Sequence, residues 1–220
     1  MWDDFLSSHK FYEGRKMKSL RIILLLLVTA FFISCTVKYL PVKEKGIIIS
    51  EGYGIMKNDD FVFAAANEYW VKEPQNLTDY FTTFHISIRN KSEEKMKITP
   101  MDISLLDEDE NQFDTVDLEF IEKMLLPKQL EYLVIQNIED DSDAFRTLLE
   151  DQKNILEEWR EAQRNLITYS FRFGEILPGA KKSGFIFFPK IFSSNNSCRI
   201  IFRDIGIQFT RGDKKEKQTE

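Results

Sequence analysis

What most limits the fold open to this chain is the two-residue rhythm of its apolar side chains. Tyr80, Thr82, Phe84, Ile86 and Ile88 share one parity, and His85, Ser87 and Arg89 the other. Successive side chains of a strand point to opposite faces, so the pattern predicts a strand with one face in a core and the other towards solvent. A polar turn at Asn90-Lys91-Ser92-Glu93-Glu94 follows. Met96 and Ile98 then resume the alternation, as do Met101, Ile103 and Leu105 beyond Pro100. Further short candidates lie at 46–50, 61–66, 69–71, 198–203 and 205–209. The run Gly184-Phe185-Ile186-Phe187-Phe188-Pro189 is apolar on both parities, as a central strand covered on both faces would be. Many short strands separated by turns predict a mainly β fold, an antiparallel sandwich.

One stretch has a different period. From Ser142 onwards, Phe145, Leu149, Ile155, Leu156, Trp159, Ala162 and Leu166 recur at helical spacing and make one apolar stripe. Asp140, Asp141, Ser142 and Asp143 offer an N-cap and negative charge for the positive end of a helix dipole. The expected organisation is a sandwich formed by 46–116 and 167–210, α+β overall because a helical insertion at 117–166 interrupts it, with a disordered tail at 211–220. Two readings of the stripe stand side by side. Trp159 is core if the helix lies on the sandwich. If the helix projects, Phe145, Leu149, Ile155 and Trp159 form a surface for docking a partner.

Charge and chemistry narrow the function classes. A net charge of −6 argues against nucleic acid as a partner, which calls for a basic footprint. The chain holds two histidines and two cysteines, and no zinc spacing or phosphate-cradling glycine loop. Asp107, Asp109 and Asn111 match the first ligands of a calcium loop, but Gln112 stands where the bend needs glycine and Leu118 where bidentate ligation needs glutamate. A solvated hairpin tip is the expectation there, and His85 reads as a surface histidine on the polar face of its strand. No catalytic residue, cofactor or metal site is expected. An enzyme would require His85, Asp102 or Cys198 to meet other polar groups in space.

The N-terminal region carries an address. Lys18 and Arg21 precede an uncharged run, Ile22 to Ser34, that ends at Cys35. That run has the length of a secretory signal core and is shorter than the roughly 20 residues a spanning helix needs. Phe32-Ile33-Ser34-Cys35 resembles the lipobox of bacterial lipoproteins. The resemblance implies that 17–34 is a signal peptide cut before Cys35, and that the Cys35 thiol and the new N-terminus are acylated, which anchors the chain stably to a membrane. Residues 1–16 carry Asp3, Asp4 and Glu13 ahead of the positive region, the wrong charge for export. Glu13-Gly14-Arg15 back-translates to a purine-rich stretch of the kind found before a bacterial start codon, so translation is expected to begin at Met17. Residues 35–45, with Pro41 and mixed charge, read as a lipidated tether. With Cys35 acylated, Cys198 has no partner for a disulfide and reads as a small buried hydrophobe.

Two segments resemble a broad class of bacterial envelope lipoproteins with immunoglobulin-like domains. They are Phe84 to Asn90 leading into Ile98-Thr99-Pro100 and Ile103, and Leu177-Pro178-Gly179 leading to Gly184-Phe185-Ile186-Phe187. The resemblance implies an immunoglobulin-like sandwich and no catalytic residues. Thr36, rather than Asp, after Cys35 resembles the pattern sorted to the outer membrane in proteobacteria. The expectation is a lipid-anchored protein on the extracytoplasmic or periplasmic side of the cell membrane or outer membrane. Its role would be non-catalytic, binding an envelope protein partner; the alternative is a carrier that holds an apolar ligand between sandwich and insertion.

Overall fold

The computed structural model describes residues 38–75, 77–125, 143–192 and 194–212, with the side chains of 143–152 left out. Twelve strands are seen among them: β1 (Tyr39–Pro41), β2 (Ile47–Ser50), β3 (Tyr53–Lys57), β4 (Phe61–Ala66), β5 (Phe81–Asn90), β6 (Met96–Ile98), β7 (Ile103–Leu106), β8 (Gln112–Asp114), β9 (Gly174–Ile176), β10 (Lys181–Pro189), β11 (Ser197–Phe202) and β12 (Ile205–Arg211). The helices are α1 (Leu77–Tyr80), α2 (Leu118–Leu125) and α3 (Asp143–Tyr169). All named strand pairs are antiparallel. Sheet I runs β1-β12-β11-β7-β8 and sheet II runs β10-β5-β4-β3-β2, while β6 and β9 form a separate pair.

The sheets face each other through the side chains that the alternation marks. Phe84, Ile86 and Ile88 of β5 are fully buried. Phe84 meets Phe209 of sheet I edge to face at 5.1 Å, and Phe202 of β11 lies against Phe61 and Phe63 of β4 at 5.0 and 5.1 Å. Cys198, Ile200 and Phe202 alternate inward from β11. The fold is therefore the mainly β antiparallel sandwich that the sequence predicts.

A second core lies on the outer face of sheet II. Phe187 of β10 and Phe81 of β5 project there and pack with Trp70, Leu77, Ile121 of α2 and Leu166 of α3. The C-terminal half of the long helix is held down by this cluster and by Asn165 Nδ2, which donates to the Glu73 carbonyl at 3.1 Å. At its end the Arg172 guanidinium donates twice to the Ile167 carbonyl, at 2.9 and 3.1 Å, satisfying an orphan acceptor beside the negative end of the dipole.

This second core explains where the expected organisation differs. β10 is apolar on both faces because one meets sheet I and the other lies under the helical segment, yet it ends the hydrogen-bonding order of sheet II rather than standing at its centre. Its outer edge is covered instead: Phe185 and Phe187 carbonyls accept from the amides of Phe171 and Val116, both at 2.7 Å. Residues 69–71 form no strand; Trp70 turns inward and is buried. Tyr39–Pro41, expected in the tether, are strand β1, and β12 continues to Arg211. Residues 126–142 and 213–220, and the whole signal region, lie outside the described residues.

Candidate functional site

The groups proposed for chemistry do not converge. Cys198 is buried in the sandwich between Ile200 and its β12 partner Phe209, and burial pushes its thiol up to about 12. Asp102 sits at the opposite side of its strand pair in a turn, Pro100–Asp102. Burial there works against its charge, but Thr99 donates to it from backbone and hydroxyl at 2.6 and 2.7 Å, and Arg203 from 3.3 Å, holding the carboxyl below its ordinary value. Its work is a capping box for that turn.

His85 is not the solvated surface histidine expected. It is half-buried on the outer face of sheet II, edge to face with Phe185 at 5.1 Å and with Tyr53 at 5.9 Å. The Tyr53 hydroxyl lies 2.7 Å from Glu68 Oε1 and 2.9 Å from His85 Nδ1. A carboxylate only accepts, so the phenol donates to Glu68 and the imidazole Nδ1–H donates to the phenol oxygen. Burial, followed by the Glu68 hydrogen bond, raises the tyrosine above its ordinary value, and burial lowers the histidine. The Tyr53 hydroxyl thus links Glu68 to His85 on the outer face of sheet II.

The acidic turn is also spoken for. The Asp107 carboxylate accepts from the amides of Asp109 and Asn111 at 3.0 and 2.8 Å and from Asn111 Nδ2 at 2.9 Å. These bonds, led by Asn111, hold it below the ordinary carboxylate range. The loop thus closes on itself as an Asx turn. Among the described residues no group of three acidic, histidine or cysteine side chains is placed to hold a metal ion.

Two features of the geometry are suited to binding. The first is a groove of about 500 Å³ at the seam between sandwich and helical segment, with Val116, Leu118, Phe171, Phe173, Phe185 and Phe187 in its wall and Arg172 beside them. A concave, mostly apolar wall of this size, with Asp117 and Arg172 as its two charged members, is the ordinary form of a site for an apolar ligand or side chain. The second is the helix stripe. Ala162 and Leu166 are buried against sheet II, Ile155 and Trp159 are half-buried, and the side chains of Phe145 and Leu149 lie outside the described residues. The stripe therefore changes character along α3, from core at its C-terminal end to half-open surface at Trp159.

Sequence reasoning named Trp159, and offered a cavity between sandwich and insertion, but named none of the residues that line the groove. The four phenylalanines in its wall come from two segments, Phe171 and Phe173 just after α3 and Phe185 and Phe187 in β10. Their meeting depends on the backbone bond from Phe171 to Phe185. Nothing in the spacing of either segment marks that pairing. No family model, no curated protein and no solved structure matches the chain.

Proposed function

We propose that the protein is a lipid-anchored component of a bacterial envelope with a non-catalytic binding role. Its anchor is Cys35, and its binding surface is the half-open part of α3 around Ile155 and Trp159 together with the groove walled by Phe171, Phe173, Phe185 and Phe187. The observation that carries the reading is the pairing of a lipobox-like Phe32-Ile33-Ser34-Cys35 with a folded body that begins at Tyr39. Among the described residues no helix is long and apolar enough to cross a membrane, and an acyl anchor needs none. A Cys35→Ser variant should leave the membrane pellet for the soluble fraction in a host that processes lipoproteins; a variant that sediments like the parent refutes the anchor.

For the binding surface, crosslinking in intact cells followed by mass spectrometry should give a discrete envelope-protein adduct that Trp159→Ala removes while the protein stays folded. Loss of fold with the adduct retained would make Trp159 core alone. A second reading, carriage of an apolar ligand, is favoured by the groove itself. It predicts lipid in organic extracts of the native protein, reduced when Phe173 is replaced by Asp.

A further inference from the structure

The chain leaves the anchor at one particular end of the sandwich, and that end is equipped with apolar side chains. Tyr39 pairs with Arg211 at the C-terminal end of β12, beside the start of β11, where Ser197 pairs with Thr210. In sheet II the same end holds the close of β10, where Pro189 pairs with Phe81, and the close of β4, where Ala66 pairs with His85. Side-chain bonds tie the two sheets together here. The Tyr39 amide donates to Asn67 Oδ1 at 2.8 Å, and Asn67 Nδ2 donates to the Thr83 carbonyl at 2.9 Å. The Tyr39 hydroxyl donates to the Asn195 carbonyl at 3.0 Å, and the Asn195 amide to that of Phe192 at 3.1 Å. Ile191 is fixed to the Thr82 hydroxyl at 3.1 Å, and Lys190 Nζ donates to the Thr78 carbonyl.

Two large side chains at this end stand in solvent: Phe192, 77% exposed, and Tyr80, 54%. Tyr80 closes α1 and Phe192 follows β10, and the bonds from Lys190 to Thr78 and from Ile191 to Thr82 join the two segments, so both share the end that holds Tyr39. Covalent reach then sets how far this end can stand from a bilayer. Cys35 precedes Tyr39 by four residues, and at 3.3–3.6 Å per residue the span between them is at most about 14 Å.

We infer that Tyr80 and Phe192 form a membrane-contacting end that seats in the interfacial region of the leaflet holding the anchor. The inference rests on acylation of Cys35. Exposed aromatic side chains, with Lys38 and Lys190 near them, suit the boundary between headgroups and acyl chains. The occupant is a zwitterionic phospholipid surface rather than an anionic one, because Glu108, Asp109 and Glu110 project from the β7–β8 turn at the same end.

The test uses the full chain, processed by the cells that make it and reconstituted into phosphatidylcholine vesicles brominated near the glycerol end of the acyl chains. Phe192→Trp adds an emitter at this end. Met101→Trp adds one at the opposite end, where Met101 is 97% exposed just before β7. The emission added by Phe192→Trp should lose more than half its intensity in brominated vesicles, and that added by Met101→Trp almost none. Palmitate labelling of the same preparations reports the anchor separately. Labelled protein with equal quenching at both positions overturns the membrane-contacting end and leaves the anchor standing. Unlabelled protein overturns the anchor and the inference together.

Discussion

Single atoms decide several positions in this fold. A Cβ on Gly184 would lie 2.5 Å from the Phe171 amide nitrogen and 2.6 Å from the Ser170 carbonyl carbon, both backbone. Gly184→Ala should therefore destabilise the protein by about 1–3 kcal/mol in urea unfolding, as overpacking does. Cys198, with its thiol pushed up to about 12 by burial, should resist alkylation at pH 8 in the native protein and react fully once unfolded. His85 supplies a pH dependence. Burial lowers it below its ordinary value of 6.5, so the unfolded chain binds the proton more readily. Its contribution is complete above pH 6.5 and is lost as pH falls below that value; the urea midpoint should drop from pH 7.5 to pH 5.5, and less so in His85→Gln. A midpoint that rises over that interval would contradict a His85 whose charge is disfavoured by burial. The position of His85 on its strand was legible from parity, whereas its burial was not, because Tyr53 and Phe185 reach it from strands distant in the chain.

Elements were legible where the apolar side chains alternate or form an unbroken run. β5, β7, β11 and β12 alternate cleanly and stand close to where the alternation puts them. β3 was missed because Gly54 interrupts its apolar parity. A side chain there would bring its Cβ within 2.5 Å of an Ile207 methyl, so the sandwich itself requires the gap. β1 was missed for another reason: three residues ending in Pro41 read as tether, though a proline is well tolerated on an edge strand. The helical stripe was visible throughout, but which part of it is core depends on Trp70 and Phe187, far away in sequence. Leu166, fully buried in that cluster, should cost about 2–5 kcal/mol when cut to alanine. Trp159→Ala, at a half-buried position, should cost less than Leu166→Ala by the same unfolding measurement. The reverse order would put the weight of the helix contact at Trp159 and remove it as a binding surface.

At the scale of the folded body, the sandwich, the helical segment and strand β1 are one arrangement. β10 is shared by both cores, with Ile186 and Phe188 in one and Phe187 in the other. β1 then fixes the point from which the chain reaches back towards Cys35, through Tyr39, which is 4% exposed and bonded at both its amide and its hydroxyl. A cavity between sandwich and insertion was open to sequence reading, but the residues of the groove were not, because its walls come from segments whose meeting is a tertiary event. The proposed anchor, by contrast, rests on contiguous residues, 18 to 35, and everything proposed about location depends on it. Intact-mass spectrometry of the protein extracted from membranes weighs that dependence directly. The account predicts a chain that starts at Cys35 and carries the added mass of a thioether-linked diacylglycerol and an amide-linked acyl group; a chain starting at Met1 or Met17 with Cys35 unmodified would contradict it.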